Sequence, residues 1–142
     1  MTRASATLTP RLLAAVAAGA VVGALARWGL TEAFPAEADA FPWSTFAINV
    51  VGSFLLALLP AFALVRRRRT LAVALGPGVL GGFTTLSAYS EQARSLLDAG
   101  RTGVAATYLL ATLGACLVAV AFGDHWSTVL ERRTFAVEGG DE

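Results

Sequence analysis

Four long stretches of the sequence contain no charged residue, and they constrain the fold more than any other feature. They cover residues 12–26, 41–65, 70–90 and 102–123, and the first continues beyond Arg27 as far as Thr31. A helix needs about 20 mostly apolar residues to cross about 30 Å of hydrocarbon. The sequence therefore predicts an all-α integral membrane protein, with four transmembrane helices at about residues 12–30, 43–65, 70–97 and 103–123.

The composition leaves little material for a water-soluble domain. Hydrophobic residues make up 56% of the chain and charged residues only 15%, whereas soluble domains carry about 25% charged residues. The chain, residues 1–142, is therefore predicted to be a single four-helix membrane domain. The one cysteine, Cys116, excludes an internal disulfide, and the net charge of +1 gives no indication of nucleic-acid binding.

The arginines are distributed unevenly along the chain, which contains no lysine. With four crossings, eight of the eleven arginines fall on one side of the membrane: Arg3, Arg11, Arg66, Arg67, Arg68, Arg69, Arg132 and Arg133. Loops rich in basic residues stay in the cytoplasm. The pattern predicts a multi-pass protein of the cell membrane with both termini in the cytoplasm.

The third predicted span has an unusual composition. Its segment from Gly76 to Gly82 contains four glycines and Pro77, and a helix interior penalises Gly by about 1 kcal/mol and Pro by about 3 kcal/mol. One interpretation is close packing against another helix, which small residues permit. The other is a discontinuous helix whose loosened carbonyls coordinate a cation.

Polar residues follow helical spacing in two of the other spans. Thr45, Asn49 and Ser53 form a stripe on span two, and Asn49 must face protein or water because exposure to lipid would be costly. Tyr108 and Thr112 form a similar pair on span four. These stripes indicate either hydrogen bonds between helices or the lining of a polar path. Cys116 continues the second stripe and is interpreted as a packing residue.

The spans lack the groups that catalysis or proton coupling would need. No acidic residue occurs near the middle of any span, and no histidine occurs within any span. Activated nucleophiles depend on an adjacent general base. The chain is therefore predicted not to be an enzyme.

Three motifs resemble one known family. The segment GGFTTLSAYSEQ, residues 81–92, is similar to the GGxTTFSTFS signature of the fluoride-channel family called Fluc or CrcB. The segments GALARWGL and FAINVVGSFLLALL resemble its first and second helices in order and spacing. The resemblance covers roughly residues 12–122, and three motifs in register make it specific.

The resemblance implies a fluoride-specific channel that exports cytoplasmic fluoride passively. Members of the family are four-helix subunits that pair antiparallel in the lipid bilayer, with a broken third helix and two pores along the interface. A structural sodium ion, Na+, is not transported and is held by main-chain oxygens, here those of Gly81 and Thr84. Matched onto this chain, the pathway residues are Asn49, Leu86, Ser87, Tyr89, Tyr108 and Thr112, and the vestibule residue is Arg27.

The chain departs from the family signature at three positions. Leu86 and Tyr89 stand where the signature has Phe, and Ala88 stands where it has Thr. These departures and the arginine bias favour an antiparallel pair with an oppositely oriented paralogue, and the homodimer stays open. Two further alternatives are a non-conducting structural subunit and a small multidrug-type carrier. The carrier class needs a carboxylate in the first span, where this chain has Arg27.

Overall fold

The computed structural model describes residues 9–37 and 39–138, with side chains as far as Val129. Arg3 lies outside the described residues, as do the side chains of Arg132 and Arg133. The described residues form helices and no strand. They contain four helical segments that are long and apolar enough to cross a membrane. The prediction of an all-α, multi-pass membrane protein is confirmed at this level.

The first span is the helix α1, Pro10–Ala33. Thr9 is its N-cap residue, and Pro10 occupies the first helical position, where the missing N–H costs nothing. Phe34 follows the helix with φ −131° and ψ 69°. Since Pro35 disfavours helical geometry in the residue before it, the helix ends at Ala33.

The second span is shorter than predicted. Helix α2, Trp43–Leu58, continues into a 3-10 turn, Leu59–Ala61. Phe62 then adopts extended backbone angles, φ −88° and ψ 111°. Pro60 cannot donate a main-chain hydrogen bond and therefore weakens a helix through this point. The span thus ends near Ala61, and the following short helix α3, Ala63–Arg67, carries two arginines of the basic run.

The third span consists of several short pieces. It begins with helix α4, Arg69–Val73, and widens into a π-helical segment, Ala74–Leu80, that contains Pro77. A single α-helical turn, α5, Gly81–Phe83, follows. Helix α6, Leu86–Asp98, completes the span.

The fourth span is longer than predicted. Helix α7, Thr102–Glu138, follows a turn in which Gly100 has φ 71°, a left-handed conformation that favours glycine. The apolar window was predicted to end at residue 123, but Gly123 does not end the helix. A Cβ at Gly123 would lie 2.8 Å from the carbonyl oxygen of Phe54, so this glycine lets α7 approach α2 closely.

The glycine-rich part of span three packs directly on α1. A Cβ at Gly23 would overlap the carbonyl oxygen of Val79, and a Cβ at Gly82 would overlap that of Ala20. Small residues therefore bring the two backbones into contact. Gly81 differs, because a Cβ there would have Gly76 O as its nearest atom, at 3.9 Å. The close-packing interpretation therefore holds for Gly82 and not for Gly81.

An aromatic cluster joins α6 and α7 to the start of α2. The rings of Phe41 and Tyr108 lie edge to face at 5.3 Å, and those of Tyr89 and Tyr108 are 5.1 Å apart. Leu96 and Ala105 are buried beside this cluster. The α6–α7 pair is thus fixed at the end where the two helices are joined.

Candidate functional site

The helical backbone of the third span is interrupted by two residues. Thr84 has φ −74° and ψ 158°, and Thr85 has φ −149° and ψ 122°, so both are extended between α5 and α6. Groups freed from a helix must find partners inside the protein when no water is available in the bilayer. The hydrogen-bond partners of the backbone at this interruption come from α1, from α2 and from the first turn of α6.

Asn49 on α2 binds the interruption through both ends of its side-chain amide. Its Oδ1 accepts the Thr85 N–H at 2.9 Å, and its Nδ2 donates to the Thr85 carbonyl oxygen at 3.0 Å. Asn49 is 9% exposed. The side-chain amide has two N–H groups, so one remains for another acceptor.

Thr85 caps the helix that follows it. Its Oγ1 accepts the Ala88 N–H at 3.1 Å, and it shares a further hydrogen bond with the Ser87 hydroxyl at 3.2 Å. A threonine N-cap satisfies an amide that has no partner within the helix. The second half of the span therefore begins at a defined point.

Several carbonyls lose their helical donors at the interruption, and two of them do so because of these contacts. In a continuous α-helix, Gly81 O would accept from the Thr85 N–H, and Thr84 O from the Ala88 N–H. The first donor is bonded to Asn49 and the second to the Thr85 hydroxyl. The Thr84 hydroxyl donates to Leu80 O at 2.9 Å. The main-chain oxygens of Gly81 and Thr84 are thus among the groups that the interruption releases, together with that of Phe83, whose donor in a continuous helix would be the Ser87 N–H.

Arg27 contacts the same segment from α1. Its Nε donates to Gly82 O at 3.2 Å, and the side chain is half-buried. The family resemblance implies a vestibule position for Arg27, and the structure places the guanidinium against the backbone of α5. The positive charge of Arg27 therefore contacts the carbonyl of Gly82, the residue that follows Gly81.

A groove of about 280 Å³ lies beside the interruption, between α2, α6 and α7. Cys116 and Ser53 contribute to its wall. The Oγ1 of Thr112 is buried, with no hydrogen-bond partner among the described residues. The predicted site residues that line the groove are Asn49, Thr84, Leu86, Tyr89 and Thr112.

The other predicted site residues do not line this groove in the monomer. Tyr108 is fully buried, and its hydroxyl donates to Gln92 Oε1 at 2.8 Å. Ser87 is exposed and bonded to Thr85. Arg27 lies on α1, outside the groove. Gly81 is exposed at the surface of the monomer. The groove thus gathers five of the nine predicted residues.

Tyr89 carries a function that sequence reasoning missed. Its hydroxyl donates to Leu109 O at 2.7 Å and so links α6 to α7. Gln92, the acceptor for Tyr108, was missed as well, although an amide in an apolar helix indicates a partner within the protein. Together these two hydrogen bonds link α6 and α7, with one donated by each helix.

The comparisons with known proteins agree with these motifs. A family model described as "CrcB-like protein, Camphor Resistance (CrcB)" matches residues 14–124. The chain is similar to "Fluoride-specific ion channel FluC 1" of Mycobacterium bovis, with 41% identity over 128 residues, which cover 87% of this chain and 92% of the relative.

Two further relatives carry similar names. "Fluoride-specific ion channel FluC" of Agrobacterium fabrum is 42% identical over 120 residues, 78% of this chain and 91% of the relative. "Fluoride-specific ion channel FluC 2" of Nocardia farcinica is 36% identical over 131 residues, 89% of this chain and 94% of the relative. These relatives are named as ion channels, which confirms the prediction that the chain is not an enzyme. The match extends over most of the chain in each case, and the chain belongs to the CrcB (FluC) family.

Proposed function

We propose that the chain is a subunit of a fluoride-specific channel that lets cytoplasmic fluoride leave the cell passively. The observation that carries this proposal is the groove beside the interruption, which offers hydrogen-bond donors and no carboxylate among its lining residues. The names of the relatives support the choice of ion. Direction follows from the inside-negative membrane potential, which drives an anion outward.

The groove can replace the water that fluoride loses. A selectivity pathway must supply groups that substitute for the hydration shell of the ion. Asn49 retains one side-chain N–H, and Thr112, a residue that is 3% exposed, has a buried hydroxyl without a partner among the described residues. Both groups donate hydrogen bonds to an anion without adding a full charge. We assign the main donor roles to these two residues.

The start of α6 adds a favourable potential. Helix N-termini carry partial positive charge, and their first amides have no acceptor within the helix. Leu86 and Ser87 occupy the first two positions of α6, and Leu86 also lines the groove. An anion near this end of the groove is therefore stabilised even though Leu86 lacks an aromatic edge.

The remaining pathway residues have more restricted roles. The Tyr89 ring lines the groove while its hydroxyl is bonded to Leu109 O, which leaves ring edges to approach an anion. The Tyr108 hydroxyl is bonded to Gln92. It can donate to fluoride only by exchanging that acceptor, so we place Tyr108 and Ser87 in the pathway as secondary donors.

A structural sodium ion fits two of the released carbonyls. Unwound backbone carbonyls at discontinuous helices are suitable ligands for Na+. Gly81 O and Thr84 O lose their helical donors, and the Thr84 hydroxyl is already bonded to Leu80 O. The ligands that we assign are therefore main-chain oxygens. When bound, sodium would add positive potential to the assembly without occupying the anion path.

The ligand number calls for a second subunit. Hard cations in proteins take about six oxygen ligands, and one chain supplies two at this site. Gly81 is exposed in the monomer, and a Cβ there would have no atom nearer than Gly76 O, at 3.9 Å. A partner in antiparallel orientation would bring its own pair of carbonyls to this face and raise the number of protein ligands from two to four. We therefore propose an antiparallel dimer around the interrupted spans.

The arginine bias supports one of the two forms of that dimer. Basic residues retained in the cytoplasm fix the orientation of a membrane protein, and eight of the eleven arginines of the chain are on the side of the termini. We propose that the termini are cytoplasmic and that an oppositely oriented paralogue completes the pair. The homodimer is the alternative, and it requires the chain to insert in both orientations.

The carrier alternative is disfavoured by the position of Arg27. A small multidrug-type carrier would need a carboxylate in the first span. Here that span has Arg27, and its guanidinium is bonded to Gly82 O. The charge therefore has the wrong sign for a cationic substrate, and it is engaged with the backbone of the third span.

Fluoride efflux from liposomes tests the proposed function. We expect liposomes that contain this chain, with the paralogue if one is encoded beside it, to release fluoride in preference to chloride without a pH gradient. No acidic residue is available near the middle of a span to couple a proton. The measurement is ion-selective electrode recording with a potassium shunt. Efflux that stops when the pH gradient is removed, with the shunt in place, would contradict a channel.

Terminal accessibility tests the orientation. In a Cys116→Ser background, a cysteine added at the C-terminus is expected to resist a membrane-impermeant thiol reagent in intact cells. The same cysteine should react after permeabilisation. A mixed population, together with fluoride efflux from the chain alone, would show that the homodimer forms instead.

A further inference from the structure

The basic run, Arg66–Arg69, connects the second span to the third. Its first two residues end helix α3, and its last residue begins α4. All four residues are exposed. The sequence contains no acidic residue between Asp39 and Glu91, so no neighbouring position compensates this charge. The run is therefore a concentrated positive patch at one end of the spans.

The four arginines of the run differ in their contacts. Arg66 donates from Nη1 to the carbonyl oxygen of Pro60 and is thereby held against the last turn of span two. The side chains of Arg68 and Arg69, by contrast, make no hydrogen bond or ion pair with the part of the chain that the structure describes. Two guanidinium groups are therefore available to a ligand from outside the chain.

Apolar side chains adjoin these two arginines. Phe62 is 54% exposed and Leu64 is 55% exposed, whereas Val65, which follows them, is buried. The segment therefore packs on the protein through one residue and presents two large apolar groups outward. Exposed apolar groups beside basic residues are typical of segments that lie at a lipid interface.

Trp126 indicates the level of this segment relative to the membrane. It is exposed on α7, one helical turn after Gly123. A Cβ at Gly123 would lie 3.4 Å from the Leu58 nitrogen. Because the second and fourth of four spans cross in the same direction, Trp126 lies beside the end of span two. Tryptophan is enriched at the headgroup level of a bilayer, so the basic run that follows this end lies near the lipid phosphates.

From the exposed charge and the adjoining apolar groups we propose that Arg68 and Arg69 bind the headgroup of an anionic phospholipid, with Phe62 and Leu64 against its acyl chains. Guanidinium groups bind phosphate through paired hydrogen bonds, and arginine clusters beside a transmembrane helix attract anionic lipids. A soluble anion would use the arginines alone and have no contact with the apolar groups. The inference does not depend on the proposed function, because it concerns the lipid and not the permeant ion.

The arginines at the other end of the spans provide a matched control. Arg94 is bonded to both Glu91 and Asp98, so its charge is already compensated. Arg101 lines a pocket together with Asp39. A control protein with Arg94→Gln and Arg101→Gln loses two positive charges, as does the test protein with Arg68→Gln and Arg69→Gln. Only the test protein loses the proposed headgroup ligands.

The measurement is a lipid titration of the full-length protein in detergent, with bound lipid counted by native mass spectrometry. The probes are phosphatidylglycerol and phosphatidylcholine with the same acyl chains. We expect wild type to bind the first phosphatidylglycerol about tenfold more tightly than phosphatidylcholine, equivalent to about 1.4 kcal/mol. The test protein should lose that preference, and the control should retain it. Each single variant, Arg68→Gln or Arg69→Gln, should lose about threefold in affinity, so the test does not depend on the double variant being folded.

Three outcomes would overturn the lipid site. The first is equal affinity of wild type for the two lipids. The second is an equal loss of phosphatidylglycerol affinity in the test and control proteins. The third is displacement of bound phosphatidylglycerol by an equal concentration of glycerol 3-phosphate, which has the phosphate but no acyl chain and would show a site for soluble anions instead. None of these results bears on fluoride efflux, so failure of this inference leaves the proposed function to its own test.

Discussion

Replacing Asn49 by Asp is expected to reduce fluoride efflux by about a hundredfold, equivalent to a barrier about 2.7 kcal/mol higher, because the change removes a hydrogen-bond donor from the anion path and adds negative charge to its wall. The Asp side chain can still accept the Thr85 N–H, but as an anion it cannot donate to Thr85 O or to fluoride. It would therefore leave the Thr85 carbonyl without its donor, now bonded at 3.0 Å. It would also place negative charge on the wall of an anion path. Liposome efflux at matched protein levels is the measurement.

A second variant separates loss of the donor from loosening of the interruption. Thr85→Ala removes the hydroxyl that caps the Ala88 N–H and should cost about 1 kcal/mol of stability. It leaves both main-chain bonds to Asn49 in place. We expect a smaller loss of efflux from Thr85→Ala than from Asn49→Asp. Wild-type efflux from Asn49→Asp, with the dimer intact by size-exclusion chromatography, would remove Asn49 from the pathway.

The four spans could be predicted from the sequence because the cost of burying charge in lipid is large and local. Their ends were less predictable, since they depend on single residues and on packing. Pro60 ends the second span before residue 65. Gly123 was predicted to end span four, but α7 continues past it. The glycine allows Phe54 O to approach the helix closely and does not form a turn. A charge count does not contain that information.

The candidate site was partly predictable for a similar reason. Asn49 had to find a polar partner, but the sequence does not show that this partner is the backbone of Thr85. The hydrogen bond from Tyr108 to Gln92 cannot be read from the sequence either, because it depends on the rotation of α6 against α7. Residue type identified the polar groups, and only the packing of the helices determined which of them remain available.

Two adjacent glycines are expected to respond very differently to the same substitution. Gly82→Val should prevent folding, because a Cβ there overlaps Ala20 O and lies 2.9 Å from Ala20 Cα. Backbone cannot move aside as a flexible side chain can, so overpacking here exceeds the usual cost of about 1–3 kcal/mol. Gly81→Val should fold, since its Cβ would have only Gly76 O near it, at 3.9 Å. Yield of monodisperse protein and thermal unfolding in detergent are the measurements.

The folded Gly81→Val protein then tests the sodium site directly. If the partner subunit and sodium occupy the open face at Gly81, the added side chain should weaken dimerisation and reduce sodium-dependent efflux by about tenfold or more, equivalent to about 1.4 kcal/mol. Thr84→Ala is the matched comparison. It removes a hydroxyl that bonds Leu80 O and keeps the main-chain oxygen that we assign to sodium, so its sodium dependence should persist. Equal efflux and equal sodium dependence in the two variants would place the cation elsewhere, because only Gly81→Val adds atoms to the face that the second subunit must cover.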